Sequence, residues 1–274
     1  MSYGLDDLLY LMRRLRDPQT GCPWDLKQDF ATILPHTLEE AYEVADAIER
    51  QDWPHLEEEL GDLLFQVIFY GQMGDERQLF SLSSIIHRLV EKLIRRHPHV
   101  FPQGTLHSEL DSSVSPQEAE INANWDLIKQ QEKALKPVAQ NMPSGLLADV
   151  PATLPALNRA VKLQKKASKV GFDWPYVQGV LDKIREELAE VEAEISAADP
   201  ERLEHEVGDL LFAVSNLARH LKVDAEVALR GTNARFCSRF AQVEAQVERL
   251  GGWDNASAAE MEAAWQAAKQ QEKH

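Results

Sequence analysis

Two pairs of carboxylates stand on either side of one turn in the segment from Lys183 to Asp209. Glu187 and Glu190 are three residues apart, and Glu206 stands three residues before Asp209. If both segments are helical, each pair projects from one helix face. Four carboxylates about 6 Å apart would repel by about 2 to 3 kcal/mol per pair at an effective dielectric constant near 20, and a divalent cation would offset that repulsion. The spacing therefore predicts a metal site, and Mg²⁺ is the expected ion because it prefers oxygen ligands and is commonly shared with phosphates.

Two helices joined by a short turn are needed to position these carboxylates. Apolar residues recur at alternating steps of three and four on both sides of the turn, which predicts two amphipathic helices. Asp199 is a favourable N-cap residue and Pro200 suits the first helical position, so the second helix is expected to begin at about Pro200. The segment is therefore predicted to form an antiparallel helical hairpin.

The same pattern occurs earlier in the chain. Glu40, Glu43, Glu59 and Asp62 each lie 147 positions before their counterparts in the later hairpin. The apolar positions follow the same step, and the two helices are expected at about 36–50 and 54–72. A constant step over two helices indicates an internal repeat, so we predict a second, less certain metal site in the first half.

Later segments repeat in the same order. A third helix carries basic residues in both halves, and Trp125 and Trp265 each stand shortly before an identical KQQEK. No segment shows the period-two alternation of a strand. The sequence therefore predicts an all-α protein of two tandem homologous helical-bundle domains. Their predicted limits are 1–135 and 154–274, with a linker at 136–153 of proline-containing, weakly periodic sequence.

Composition excludes several classes of protein. The 274 residues carry 29 basic and 45 acidic side chains, and a net charge of -16 argues against nucleic acid as the main partner. No apolar run approaches the length of a membrane span, and no secretory signal pattern is present at the N-terminus. The two cysteines lie far apart, which argues against a zinc finger or a disulfide framework. We therefore expect a cytoplasmic protein without membrane contact.

The carboxylate motif resembles that of a known family. The order EExxE, then fifteen residues, then ExxD appears as EEAYE with ELGD and again as EELAE with EVGD. This order is similar to that of the MazG-type nucleoside triphosphate pyrophosphohydrolases. The segments CPWD at 22–25 and HPHVF at 97–101 are also similar to segments of that family. The resemblance implies Mg²⁺-dependent hydrolysis of nucleoside triphosphates to nucleoside monophosphates and pyrophosphate by a homodimer of helical bundles. Whether water attacks the α or the β phosphorus stays open.

Residue roles follow from the same resemblance and from the spacing. Glu186, beside the metal cluster, is the predicted base or outer-shell partner for the attacking water, and Lys183 and Arg235 complete the predicted catalytic set. The predicted substrate-binding residues are Lys183, Arg202, Asn233, Arg235, Arg239 and Trp265, the last as a base-stacking or pocket residue.

Simpler interpretations of these residues also remain. A single ExxE on a helix is most often a solvated face. Arg235 and Arg239 can form surface ion pairs with acidic neighbours, and a tryptophan such as Trp265 on a terminal helix can serve packing alone. In the first half His36 and His55 stand where the second half has lysine and arginine, so the second half is expected to be the main catalytic domain.

Two other functions compete with hydrolysis as explanations of these carboxylates. A carboxylate-bridged di-iron oxidoreductase would need Glu-x-x-His, which does not occur in this sequence. A non-enzymatic dimerising helical scaffold or a regulatory nucleotide-binding protein remains the alternative. A homodimer is expected because apolar side chains opposite the acidic edge need to be covered. These side chains are Phe65, Phe69, Leu211 and Phe212.

Overall fold

The regular structure of this chain is helical. The computed structural model describes residues 2–109, 128, 132, 145–197 and 199–271. The chain divides into two compact units, Met1–Pro137 and Val138–His274, and all regular elements in the described ranges are helices. The predicted all-α fold with two tandem helical domains is therefore confirmed. The limits of the linker stay a prediction, and Trp125 lies outside the described residues.

The first unit is built around a pair of long helices. Its elements are α1 (Leu5–Leu15), α2 (Pro23–Lys27), α3 (Phe30–Arg50), α4 (Trp53–Glu76) and α5 (Leu82–Arg96). Helices α3 and α4 pack against each other. Between them Gln51 takes the left-handed conformation, with φ of 57°, which ends α3 and reverses the chain. This pair is the predicted hairpin of the first half.

Helix α3 begins six residues before the predicted start at His36. The side chain of Asp29 accepts hydrogen bonds from the backbone N–H groups of Ala31 and Thr32, so the helix is capped there. Pro35 lies inside the helix and removes one backbone hydrogen bond near its start, which the cap and the packing of α3 outweigh.

Helix α4 continues four residues beyond the predicted end at 72. A Cβ atom on Gly74 would lie 2.5 Å from a ring carbon of Phe80, and one on Gly71 would lie 3.0 Å from the Leu82 Cβ. The two glycines therefore let the chain after α4 fold closely back onto it.

The core of the first unit lies between α1, α3 and α4. Met12, Ile33, Ile68, Phe69 and Met73 are buried in one cluster. The expectation that Phe69 is exposed and needs a partner is wrong, because it is 0% exposed and packs among these residues.

The second unit repeats this plan. Its elements are α6 (Ala156–Ser168), α7 (Val177–Ala197), α8 (Pro200–His220), α9 (Ala225–Arg249), a 3₁₀ turn (Trp253–Asn255) and α10 (Ala258–Gln271). Helices α7 and α8 form the hairpin, and α6 packs against α8. The predicted start of α8 is confirmed, because the Asp199 side chain accepts hydrogen bonds from the N–H groups of Glu201 and Arg202.

Part of the apolar surface of the second unit is exposed. Leu211 is 54% exposed and Phe212 is 45% exposed, as the sequence predicts. Within the described ranges, no helix is both long enough and apolar enough to cross a membrane.

Candidate metal centre

The hairpin of the second unit brings three of the predicted ligands together. Carboxylate oxygens of Glu187, Glu190 and Glu206 all lie within 4.8 Å of one another. Two of these side chains come from α7 and one from α8, as the three-residue spacing and the antiparallel packing require. Glu187 is only 4% exposed, so the group lies at the edge of the helix–helix contact.

A lysine neutralises part of this charge. The Nζ atom of Lys183 lies 2.7 Å from Oε1 of Glu186 and 2.7 Å from Oε1 of Glu187. These two hydrogen bonds raise the pKa of Lys183, so it stays protonated. The predicted base and the predicted phosphate-binding lysine are therefore in direct contact beside the ligands.

The negative charge that Lys183 does not neutralise affects Glu190. Partial desolvation raises the pKa of Glu190, and a hydrogen bond with Glu187 and the charges of Glu187 and Glu206 raise it further. Carboxylates crowded in this way bind a proton more tightly than free ones, and a hard divalent cation could take the place of that proton. The donor set fits Mg²⁺, which prefers oxygen ligands.

Asp209, the fourth predicted ligand, lies outside this group of three. It lines a cavity of about 520 Å³ whose wall also includes Lys183 and Glu187. Asp209 is therefore next to the centre, but its carboxylate is not within 4.8 Å of all three glutamates.

The other predicted binding residues have different neighbours. An Nη atom of Arg202 lies 3.4 Å from Oε1 of Glu194, one helical turn beyond Glu190. Arg235 donates to Oγ1 of Thr232 at 2.9 Å. The side chain of Arg202 thus points to the end of the hairpin where the turn lies. The side chain of Arg235 contacts a residue of its own helix, α9.

Aromatic contacts join α9 to α10. The guanidinium carbon of Arg239 lies 5.8 Å from the ring centroid of Trp265, and the rings of Phe236 and Trp265 are 5.1 Å apart. Asn233 is exposed on the same helix α9. The contacts seen for Trp265 are those of a packed side chain.

The structure also shows residues that sequence reasoning missed. Glu194 is 9% exposed, and its Oε2 atom has no hydrogen-bond partner among the described residues. Because it stands four residues after Glu190, the sequence alone could have placed it on the same helix face as the ligands. Gln164 and Asn216 are buried polar residues in the cavity wall. A comparison of the two halves of the sequence could have identified Asn216, because this polar residue stands where the first half has the apolar Phe69.

The first unit holds a matching group of carboxylates. Oxygens of Glu40, Glu43 and Glu59 lie within 4.8 Å of one another. Burial raises the pKa of Glu40, and the neighbouring charge of Asp62 raises it further. Burial also raises the pKa of Glu59, and the charge of Glu43 adds to this effect. The repeat in the sequence is therefore a repeat in structure.

The polar neighbours of this first group differ from those in the second unit. Nε2 of His55 lies 3.2 Å from Oε1 of Glu59, and the Gln66 amide donates to Oε1 of Glu40 at 3.4 Å. The contact of His36 is with Glu39, at 3.5 Å. A histidine carries positive charge only when protonated, so the ion pairs of this first group, among the described residues, include no permanent cation like Lys183.

Both carboxylate groups fall within segments that match one family. The model of the MazG nucleotide pyrophosphohydrolase domain matches residues 28–101 and again residues 177–247. This chain belongs to the MazG family. The two matched segments include the hairpins α3–α4 and α7–α8 and the carboxylates on them.

Relatives match over almost the whole chain. A nucleoside triphosphate pyrophosphohydrolase of Escherichia coli (strain K12) is 49% identical over 271 residues, which is 98% of each chain. A MazG protein of Thermotoga maritima named nucleoside triphosphate pyrophosphohydrolase/pyrophosphatase is 41% identical over 246 residues, 90% of this chain and 88% of the relative. The similarity therefore includes both units.

Proposed function

We propose that this MazG protein hydrolyses nucleoside triphosphates to nucleoside monophosphates and pyrophosphate, with Mg²⁺ as the cofactor. The observation that carries the proposal is the group of Glu187, Glu190 and Glu206 beside Lys183, on a hairpin that matches the family model. The names of the two relatives support the same reaction.

The ligands proposed for Mg²⁺ are Glu187, Glu190, Glu206 and Asp209. Bound there, the ion would neutralise phosphate oxygens that otherwise oppose attack by water. Glu190 and Glu206 form no ion pair with a described side chain, so their charge is available for a cation. The less certain second site would use Glu40, Glu43, Glu59 and Asp62.

Lys183 and Glu186 are proposed to act together on substrate and water. Lys183 is held by Glu186 and Glu187 and can transfer one of these contacts to a phosphate oxygen. Glu186 is then free to orient the attacking water and to accept its proton. The other residues proposed for binding the substrate are Arg202, Asn233, Arg235, Arg239 and Trp265.

We propose the second unit as the main catalytic one. Among the described residues of the first unit, the side chains paired with Glu39 and Glu59 are histidines, which leaves less positive charge for a triphosphate at neutral pH. The first unit would then bind metal without hydrolysing substrate. In that case the non-enzymatic alternative would apply to the first half of the chain alone. We also propose that the protein is cytoplasmic and that it forms a homodimer, the latter because Leu211 and Phe212 are exposed.

Product analysis tests this function. The full chain is mixed with Mg²⁺ and each nucleoside triphosphate, and the products are separated by anion-exchange chromatography. We expect nucleoside monophosphate and pyrophosphate in equal amounts, and no turnover in the presence of a chelator. Formation of nucleoside diphosphate and orthophosphate would contradict the proposal.

A further inference from the structure

Several lysines share one face of helix α6. They follow one another at steps of three, one and three residues, which places their side chains in a single stripe along the helix. This lysine stripe consists of Lys162, Lys165, Lys166 and Lys169. The opposite face of α6 carries Ala160 and Gln164, which are buried, and Gln164 donates a hydrogen bond to the backbone oxygen of Phe212 on α8. The lysine stripe therefore lies on the side of α6 that is turned away from α8.

A small cavity runs along the lysine stripe. Its volume is about 250 Å³, and all four lysines line it. The other described lining residues are Asp149, Val150 and Pro151, and none of the residues around this cavity also lines the cavity beside the metal centre. Sites for drug-sized molecules usually have volumes of about 300 to 1,000 Å³, so this smaller space suits a small ion better than a nucleoside.

One lysine of the stripe holds the opposite wall of this cavity in place. Nζ of Lys166 forms an ion pair with Oδ1 of Asp149 and donates a hydrogen bond to the backbone oxygen of Leu146 at 3.4 Å. Val150, the next residue of the wall, is only 6% exposed. Lys166 therefore fixes the wall, and Asp149 is the single acidic residue among the described residues that line the cavity.

The remaining lysines leave positive charge in the cavity. Lys162 and Lys165 are exposed and form no ion pair with a described side chain. Like charges three or four residues apart on a helix repel and destabilise it. The helix dipole favours cations in the last turn of α6, but this effect falls off within one turn, and Lys162 lies before that turn. A bound anion would offset the repulsion.

The fold of the unit does not require these lysines. Helix α1 packs against α4 in the first unit, as α6 packs against α8 in the second. Helix α1 contains no lysine, and its first turn carries Asp6 and Asp7. The lysine stripe is therefore a feature of the second unit alone, in a protein whose net charge is -16.

We infer that this cavity is an anion site for inorganic pyrophosphate, with Lys162 and Lys165 as the residues that contact it. Ammonium groups bind phosphate oxygens through charge-assisted hydrogen bonds. Pyrophosphate carries negative charge on two adjacent phosphoryl groups, so it can contact two lysines at once. The site is separate from the metal centre and would bind the anion whether or not the proposed reaction occurs.

Calorimetry of the full chain tests this anion site. The protein is freed of divalent metal and dialysed, so that pyrophosphate cannot bind through an ion at the carboxylates. Lys162→Gln with Lys165→Gln removes two charges from the lysine stripe. Lys222→Gln with Lys269→Gln, the control, removes two exposed lysines elsewhere in the second unit. Both variants change the net charge equally, and glutamine is a good helix former.

The stripe variant should raise the Kd of pyrophosphate at least about tenfold, and the control should stay within about twofold of the wild type. Sulfate has fewer charges and should bind the wild type at least about tenfold more weakly than pyrophosphate. Similar losses in both variants, or equally tight binding of sulfate, would mean attraction by net charge alone and would overturn the inference. The absence of a measurable heat of binding to the wild type would overturn it as well.

Chemical acetylation locates the anion without any substitution. Mass spectrometry follows the rate at which each lysine of the wild type reacts with N-acetoxysuccinimide, with and without pyrophosphate. Bound pyrophosphate should slow the reaction of Lys162 and Lys165 at least about threefold, because an adjacent anion keeps the amine protonated, and should leave that of Lys222 unchanged. Binding that does not protect Lys162 and Lys165 would contradict the assignment. Failure of the proposed reaction would appear separately, in the product analysis.

Discussion

At the scale of single residues, the centre of the second unit has more negative charge than it can neutralise. Lys183 pairs with Glu186 and Glu187, whereas Glu190 and Glu206 have no cation paired with them among the described side chains. The pKa of Glu190 is raised as a consequence, by partial desolvation and by its acidic neighbours. Proton binding and metal binding should therefore compete at this residue.

The contribution of Glu190 to the stability of the metal-free protein should fall as the pH rises above the ordinary glutamate pKa of 4.5. The folded chain holds the Glu190 proton more tightly than the unfolded chain, so this contribution is present at low pH and is lost as the pH rises through the raised pKa. We expect Glu190→Gln to reduce the fall in melting temperature between about pH 4.5 and 8 in a chelator.

Glu192→Gln, an exposed change on the same helix, is the control and should behave as the wild type. Added Mg²⁺ should raise the melting temperature of the wild type more at high pH than at low pH. Identical pH profiles for wild type and Glu190→Gln would show that folding does not raise the pKa of this carboxyl.

At the scale of helices, two glycines in α4 make a testable pair. A Cβ on Gly74 would meet the ring and the backbone oxygen of Phe80 at 2.5 and 2.7 Å, whereas a Cβ on Gly61 would meet nothing within 4 Å. Gly74→Ala should lower the melting temperature, with a cost of about 1 to 3 kcal/mol from overpacking.

Gly61→Ala should leave the melting temperature unchanged or raise it, because alanine favours a helix by about 1 kcal/mol over glycine. Scanning calorimetry of both variants gives the comparison. Equal effects would mean that the close contact between α4 and Phe80 does not restrict residue 74.

The helices that carry the chemistry are also the part of the fold that sequence predicts well. Carboxylates and apolar positions repeat at helical spacing, and Asp199 followed by Pro200 marks one helix start through local chemistry alone. Helix α3 begins earlier than predicted because Asp29 caps it and Pro35 is accommodated inside it. Burial of Phe69 was missed because it depends on packing against α1, which local periodicity does not contain.

The sequence also predicts only those parts of the candidate site that depend on local spacing. Spacing along α7 and α8 identified the three grouped carboxylates and Lys183, since each contact is made within a helix or between adjacent helices. Arg202 has the spacing of a substrate ligand but pairs with Glu194, because side-chain direction depends on the nearest charge. The cavity requires α6 beside α8, a contact between segments far apart in sequence.

At the scale of the whole molecule, the exposed apolar residues of α8 predict self-association. Light scattering should give a mass twice the 31.0 kDa of one chain. Leu211→Glu places a charge on the exposed face and should produce a monomer, whereas Leu79→Glu, at a site 64% exposed, should remain a dimer. A fully active wild-type monomer at micromolar concentration would contradict the proposed dimer.

Paired changes in the two hairpins test whether the second unit carries out pyrophosphohydrolysis. Glu206→Gln with Asp209→Asn alters the second centre, and Glu59→Gln with Asp62→Asn makes the same change in the first. With Mg²⁺ and ATP, the rate of pyrophosphate release should fall at least about 100-fold for the second-unit pair and stay within about twofold of wild type for the first-unit pair. Equal losses from both pairs, or full activity after the second-unit change, would show that the second unit is not the main catalytic one.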